Sequence, residues 1–129
     1  MQFWESWEPS FDDRLPIYRQ IILQFSRAFV REEIKPGERV PSIRELSASL
    51  KVNTNTIQRA YQEMERDEMI SSKRGTGYFF SEDAVLIDKT RRALARESLH
   101  RFVEEMQALG CGDDSIIEEL NDYIKERGK

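Results

Sequence analysis

The chain has 129 residues, of which 39% are hydrophobic and 34% charged, and its formal net charge is −4. That size suits one compact domain, or one small domain with an appendage, and the charge suits a helical protein with much exposed helix surface. No stretch approaches the ~18 apolar residues of a membrane span, and the single cysteine, Cys111, excludes an internal disulfide framework. The start, "MQFWESWEPS", has neither the basic region nor the apolar run of a signal peptide, so a cytoplasmic protein is expected.

The acidity is unevenly placed. Residues 1–80 carry 12 Lys+Arg against 12 Asp+Glu, whereas residues 81–129 carry 8 against 12 and account for the whole −4. Residues 35–80 are at +2, with 8 basic and 6 acidic side chains. A footprint for phosphate therefore has room on the first two thirds of the chain.

An aromatic lead, with Phe3, Trp4, Trp7 and Phe11, comes first. "LPIYRQIILQFSRAFVREEI" follows, with Ile17, Ile21, Phe25 and Ala28 in a helical stripe and Tyr18, Ile22 and Phe29 alongside. Pro16 suits a first helical turn, and Asp12 and Asp13 are expected near the positive end of the dipole. Pro36-Gly37 reads as a turn. In "PSIRELSASL", Ser42 and Glu45 make a capping box before a short helix whose inner side is Ile43, Leu46 and Leu50. "KVN" is a tight connection of helix-turn-helix kind, and either Asn53 or Thr54 caps a third helix.

That third helix holds the most informative stretch, "VNTNTIQRAYQEME", whose first seven residues carry no charge. At 100° per residue, Ile57, Ala60, Tyr61 and Met64 form an inner face. Asn55, Arg59, Gln62 and Arg66 lie opposite, with Gln58 beside them. Asn and Gln can pair bidentately with adenine and Arg with guanine, and a Thr methyl can touch a thymine methyl. A helix entering the major groove by its N-terminal half would lead with Asn53 to Arg59. The bland alternative is a solvated helix face.

Context decides between them. "ISSKRGTGYFF" reads as a β-hairpin, with strands at Ile70 to Lys73 and Tyr78 to Phe80 and a turn that Gly75 and Gly77 permit. Helix, helix-turn-helix and two-stranded wing in that order make the winged-helix plan. Lys51, Ser72 and Lys73 are then candidates for phosphate contacts, and Arg74 at the wing tip for a narrow minor groove.

From Ser81 a long helix, Asp83 to Leu109, carries Leu94, Leu99, Phe102, Val103, Met106 and Leu109 on its apolar side, and Gly110 stops it. Asp113 or Asp114 starts a last helix, to Lys125, with Ile116, Ile117, Leu120, Tyr123 and Ile124 on one side. An isolated pair of such helices cannot bury both stripes, so part of them is expected to meet a partner subunit. The expected fold is mostly α with a small β-hairpin wing: a winged helix-turn-helix over 1–80, then a two-helix dimerisation unit over 81–129.

"LPIYRQI", "IKPGERVPSIRELSASLKVNTNTIQRAYQEMERDEMI" and "SKRGTGYF" resemble, in order, the DNA-binding domain of the GntR family of bacterial transcription regulators. The tail, one long helix and one short, looks like the YtrA subfamily, whose C-terminal part serves dimerisation. The resemblance implies that Arg44 meets DNA from the start of the second helix. It implies that Thr54, Asn55, Thr56 and Gln58 occupy recognition-helix contact positions, and that Arg74-Gly75 sits at the wing tip near the minor groove. Several relatives place arginines where Thr54 and Gln58 stand, so less reliance on guanine and more on adenine or thymine is expected. A homodimer on palindromic operator DNA is the implied assembly.

Trp4, Trp7 and Phe11 are read as a cover for the first helix or, alternatively, as an aromatic lining for a small effector. His100 is expected to be solvated, and Asp113 and Asp114 to serve capping. No nucleophile–base set, metal-ligand spacing or phosphate-binding loop is visible in the sequence, which leaves no enzyme and no cofactor to argue for. A winged helix that binds protein instead of DNA is the rival reading.

Overall fold

A computed structural model describes residues 2–7 and 10–128. Its elements are α1 (Ile17–Val30), α2 (Ile43–Leu50), α3 (Thr54–Arg66), β1 (Ile70–Lys73), β2 (Gly77–Phe80), α4 (Ala84–Ala108) and α5 (Asp113–Arg127). The expected winged helix-turn-helix followed by C-terminal helices is the architecture found. The chain forms two compact units, Met1–Arg91 and Arg92–Lys129, and the division falls within α4 rather than at Phe80.

In the first unit, α1 starts after Pro16 and buries Ile21, Phe25, Ala28 and Phe29. Ile17, though on the expected stripe, is 40% exposed. Asp12 and Asp13 precede the first turn of α1, which itself contains no acidic residue. Asp12 accepts from the Arg14 guanidinium, and its backbone exchanges hydrogen bonds with the Gln20 amide at 2.8 and 2.6 Å. Gln20 thereby fastens the aromatic lead to α1.

The expected capping box of α2 is present: Ser42 Oγ accepts from Glu45 N at 3.0 Å, and Glu45 Oε1 accepts from Ser42 N at 3.3 Å. Lys51 ends the helix in left-handed backbone, φ 56° and ψ 46°. Of the two caps allowed for α3, Asn53 is used; its Oδ1 accepts from Asn55 N at 2.8 Å. Ile57, Ala60, Tyr61 and Met64 are all buried, as the wheel requires.

β1 and β2 pair antiparallel from Ile70↔Phe80 to Lys73↔Gly77. The turn between them uses Gly75 at φ +78° and Gly77 at φ +106°, conformations that a Cβ disfavours. The segment before α2 adds a bridge that the sequence did not announce. Val40 N donates to Tyr78 O and Phe80 N to Glu38 O, each at 2.9 Å, beside an Arg39↔Phe79 pair. Phe25 lies at the centre of the core, with ring centroids of Trp7, Tyr61, Phe80 and Phe3 at 4.8, 5.9, 5.9 and 6.1 Å. Trp4 is buried in the same cluster, and Leu86 and Ile87 pack against it from the first turn of α4.

The second unit is sparsely packed. Among its described residues only Ile116 is buried, and α4 buries no residue along its length. Gly110 breaks the chain at φ +89°. Gly112, not an aspartate, is the N-cap of α5; Asp113 and Asp114 stand in its first turn without a side-chain cap bond. There their charge meets the positive end of the helix dipole.

Candidate nucleic-acid interface

The N-terminal half of α3 is held outward by its own inner face and by Tyr61, whose buried hydroxyl donates to Pro41 O at 2.7 Å. Arg44, Lys51, Asn53, Thr54, Asn55, Gln58, Arg59 and Gln62 are exposed, and Thr56 is half-buried. The first turn of α3 carries no acidic residue, so the positive end of its dipole favours an anion. Lys73, Arg74 and Gly75 are exposed at the end of the hairpin. Every residue expected from sequence to contact DNA therefore lies in the first unit, on α2, on α3, in the turn between them or at the wing.

Four of the expected residues have work inside the fold as well. Asn53 spends its carbonyl on the cap of α3. Ser72 Oγ donates to Glu65 Oε2 at 3.0 Å, which ties the wing to α3 and removes that proton from a phosphate. Lys73 Nζ lies 4.6 Å from the Phe79 ring centroid. Arg59 leans on α1: its guanidinium carbon is 4.0 Å from the Tyr18 ring centroid, and it donates to the Tyr18 hydroxyl at 3.3 Å.

Three residues beside this surface escaped the sequence reading. Tyr18 stands in the sequence alongside the apolar stripe of α1, and no pattern there marks Arg19. Arg19 Nε also donates to the Tyr18 hydroxyl, at 3.3 Å. Arg39 pairs with Glu45 at 3.8 Å and reaches the turn end of the wing, 3.7 Å from where a Cβ on Gly77 would stand. No local pattern marks Tyr18 for Arg59, because the partners are 41 residues apart.

The aromatic lead divides. Trp7 and Phe11 line a cavity of about 40 Å³ with Ser10, Gln20, Ile21, Gln24 and Leu50. Trp4, grouped with them as an effector candidate, is a core residue at 7% exposure. Among the described residues no group of His, Cys, Asp and Glu could hold a metal ion. No helix there is long and apolar enough to cross a membrane.

A helix-turn-helix whose third helix presents amides, hydroxyls and a guanidinium, flanked by a basic wing, defines a DNA-binding regulator. Residues 17–80 match the family described as bacterial regulatory proteins, gntR family. The chain is 41% identical over 115 residues to the HTH-type transcriptional regulator YhcF of Bacillus subtilis, covering 89% of this chain and 95% of that protein. It is 34% identical over 112 residues to the HTH-type transcriptional repressor YtrA of the same organism, covering 86% and 83%. A solved GntR family transcriptional regulator from Listeria monocytogenes superposes with a TM-score of 0.79 at 38% identity, covering 87% of this chain and 98% of that one. The protein belongs to the GntR family, in its short, YtrA-like form. It is a DNA-binding transcriptional regulator and not an enzyme.

Proposed function

We propose that the protein is a cytoplasmic repressor that binds a palindromic operator as a homodimer. The N-terminal half of α3 lies in the major groove, and the hairpin reaches the minor groove or the phosphates. The observation that carries this reading is the exposed, carboxylate-free edge from Asn53 to Gln58 at the positive end of a helix that its core fixes in place. A relative described as a repressor supports the direction of control.

One such helix reads only a few base pairs, so two copies on a twofold axis read half-sites about one turn, ~34 Å, apart. The second unit, with Ile116 its one buried residue among those described, supplies the pairing surface. Ile117, Leu120 and Ile124 on α5, and Leu99 and Leu109 from the α4 stripe, stand exposed for it. Leu94, Phe102, Val103 and Met106, half-buried, complete the stripe. Repression is steric, since an occupied operator excludes polymerase. Relief needs a ligand or signal that changes the spacing of the two reading heads. Trp7 and Phe11 are the aromatic groups such a ligand would meet, at a cavity of about 40 Å³ that must widen to admit more than a few waters.

The test is fluorescence anisotropy on a duplex of the protein's own promoter region at several salt concentrations, against random duplex. A preference of ~10³-fold or more, falling steeply with salt, is expected, and Gln58→Ala removes it. Equal, weak binding to promoter, random and other genomic duplexes would instead favour a winged helix that binds protein.

A further inference from the structure

Two guanidinium groups converge on one phenol oxygen beside the recognition helix. Arg59 lies over the Tyr18 ring at 4.0 Å, within cation–π range. Arg59 and Arg19 each donate to the Tyr18 hydroxyl at 3.3 Å. The phenol is held below its ordinary pKa, chiefly by the Arg19 hydrogen bond, with the charge of Arg59 adding to it. Among the described residues, no carboxylate forms an ion pair with Arg19 or Arg59. Glu63, whose field reaches Tyr18 and Arg19, is itself paired with Arg66. Two like charges are thus gathered at an exposed point, with Glu63 nearby but committed to Arg66 and no carboxylate among the described residues ion-paired with either.

A stacked guanidinium keeps most of its five N–H donors for a further partner. The planar fork of Arg suits a phosphate while its face stays on an aromatic ring. Reading guanine is different, because it needs both donors aimed at O6 and N7 in the groove, and that takes the side chain away from α1. We propose that Tyr18 is a positioning residue which, together with Arg19, holds Arg59 as a contact to a backbone phosphate beside α3, so that Arg59 adds affinity and not base discrimination. This assignment rests on the operator-binding reading above, and it corrects the expectation that Arg59 leads into the bases.

The experiment compares wild type, Arg59→Ala, Tyr18→Ala, Tyr18→Phe and the Tyr18→Ala/Arg59→Ala double variant. Each is titrated at several salt concentrations on the operator and on operators changed one base pair at a time. Gln58→Ala serves as a base-reading comparison, and melting curves check each fold. Arg59→Ala is expected to weaken every duplex by the same factor and to lower the log–log salt slope by about 0.9 per protomer. Tyr18→Ala produces a similar drop, Arg59→Ala adds nothing in that background, and Tyr18→Phe, which keeps the ring, retains most of the slope.

If Arg59→Ala instead erases the preference at one base pair per half-site and leaves the slope alone, Arg59 reads bases and the assignment fails while operator binding stands. Additive losses from Tyr18→Ala and Arg59→Ala overturn the positioning role alone. Absence of any preference in the wild type overturns the operator reading, and this one with it.

Discussion

The Tyr61 hydroxyl donates to the carbonyl oxygen of Pro41 at 2.7 Å, inside the core. This bond joins the middle of the recognition helix to the residue before the capping box of α2, so the two helices of the motif share one buried polar contact. Tyr61→Phe leaves Pro41 O without its donor and is expected to cost about 1–3 kcal/mol, read as a lowered melting temperature. Burial also pushes the phenol's pKa well above its ordinary value. With the folded pKa raised, the stabilising contribution is complete below the unfolded value of about 10 and declines as pH rises past it. Wild type should therefore lose stability above that pH by one proton more than Tyr61→Phe, in chemical unfolding followed against pH.

Lys51 carries a conflict between fold and function. Its left-handed backbone, φ 56°, costs a side-chain-bearing residue about 1 kcal/mol, whereas glycine meets no such penalty. Lys51→Gly should raise stability by up to about 1 kcal/mol and yet weaken DNA binding, with a salt slope shallower by about one per protomer. Unchanged DNA affinity in this variant would remove Lys51 from the phosphate contacts.

Trp4 separates a core role from a ligand role. At 7% exposure it belongs to the cluster around Phe25, and Trp4→Ala is expected to destabilise the first unit by about 3–5 kcal/mol. A variant that melts like wild type would return Trp4 to the effector candidates.

Self-association is the check on the second unit. Ile124 and Ile117 on α5 are 51% and 60% exposed, and Ile124→Glu places a charge on that stripe. Sedimentation equilibrium should report a monomer. That monomer should bind a palindromic duplex much more weakly than wild type does, and a single half-site about as well. A dimer that persists in Ile124→Glu and in Leu120→Glu would move the interface elsewhere.

The parts of this architecture that announce themselves are the ones written in local chemistry. Ser42 with Glu45, the period of Ile57, Ala60, Tyr61 and Met64, and glycines at 75 and 77 each express a constraint within a few residues, and each appears where that constraint demands. What stayed hidden is non-local. The Arg39↔Phe79 bridge joins a stretch with no alternation to the second strand of the wing. Tyr18 meets Arg59 across 41 residues. Capping was the less legible detail: Asp113 starts α5 as expected, yet Gly112 is its N-cap, and the Asp12 carboxylate is paired with Arg14.

Arg91 donates to the Val30 carbonyl at 2.6 Å, closing an open end of α1, while Leu86 and Ile87 lie against the core. The consequence concerns where the chain can be cut. A fragment stopping at Phe80 would keep every residue of the reading surface and still bare part of its own interior and a helix terminus. One carried to Arg91 keeps its lid. Limited proteolysis should accordingly leave a resistant piece whose C-terminal edge lies beyond Arg91.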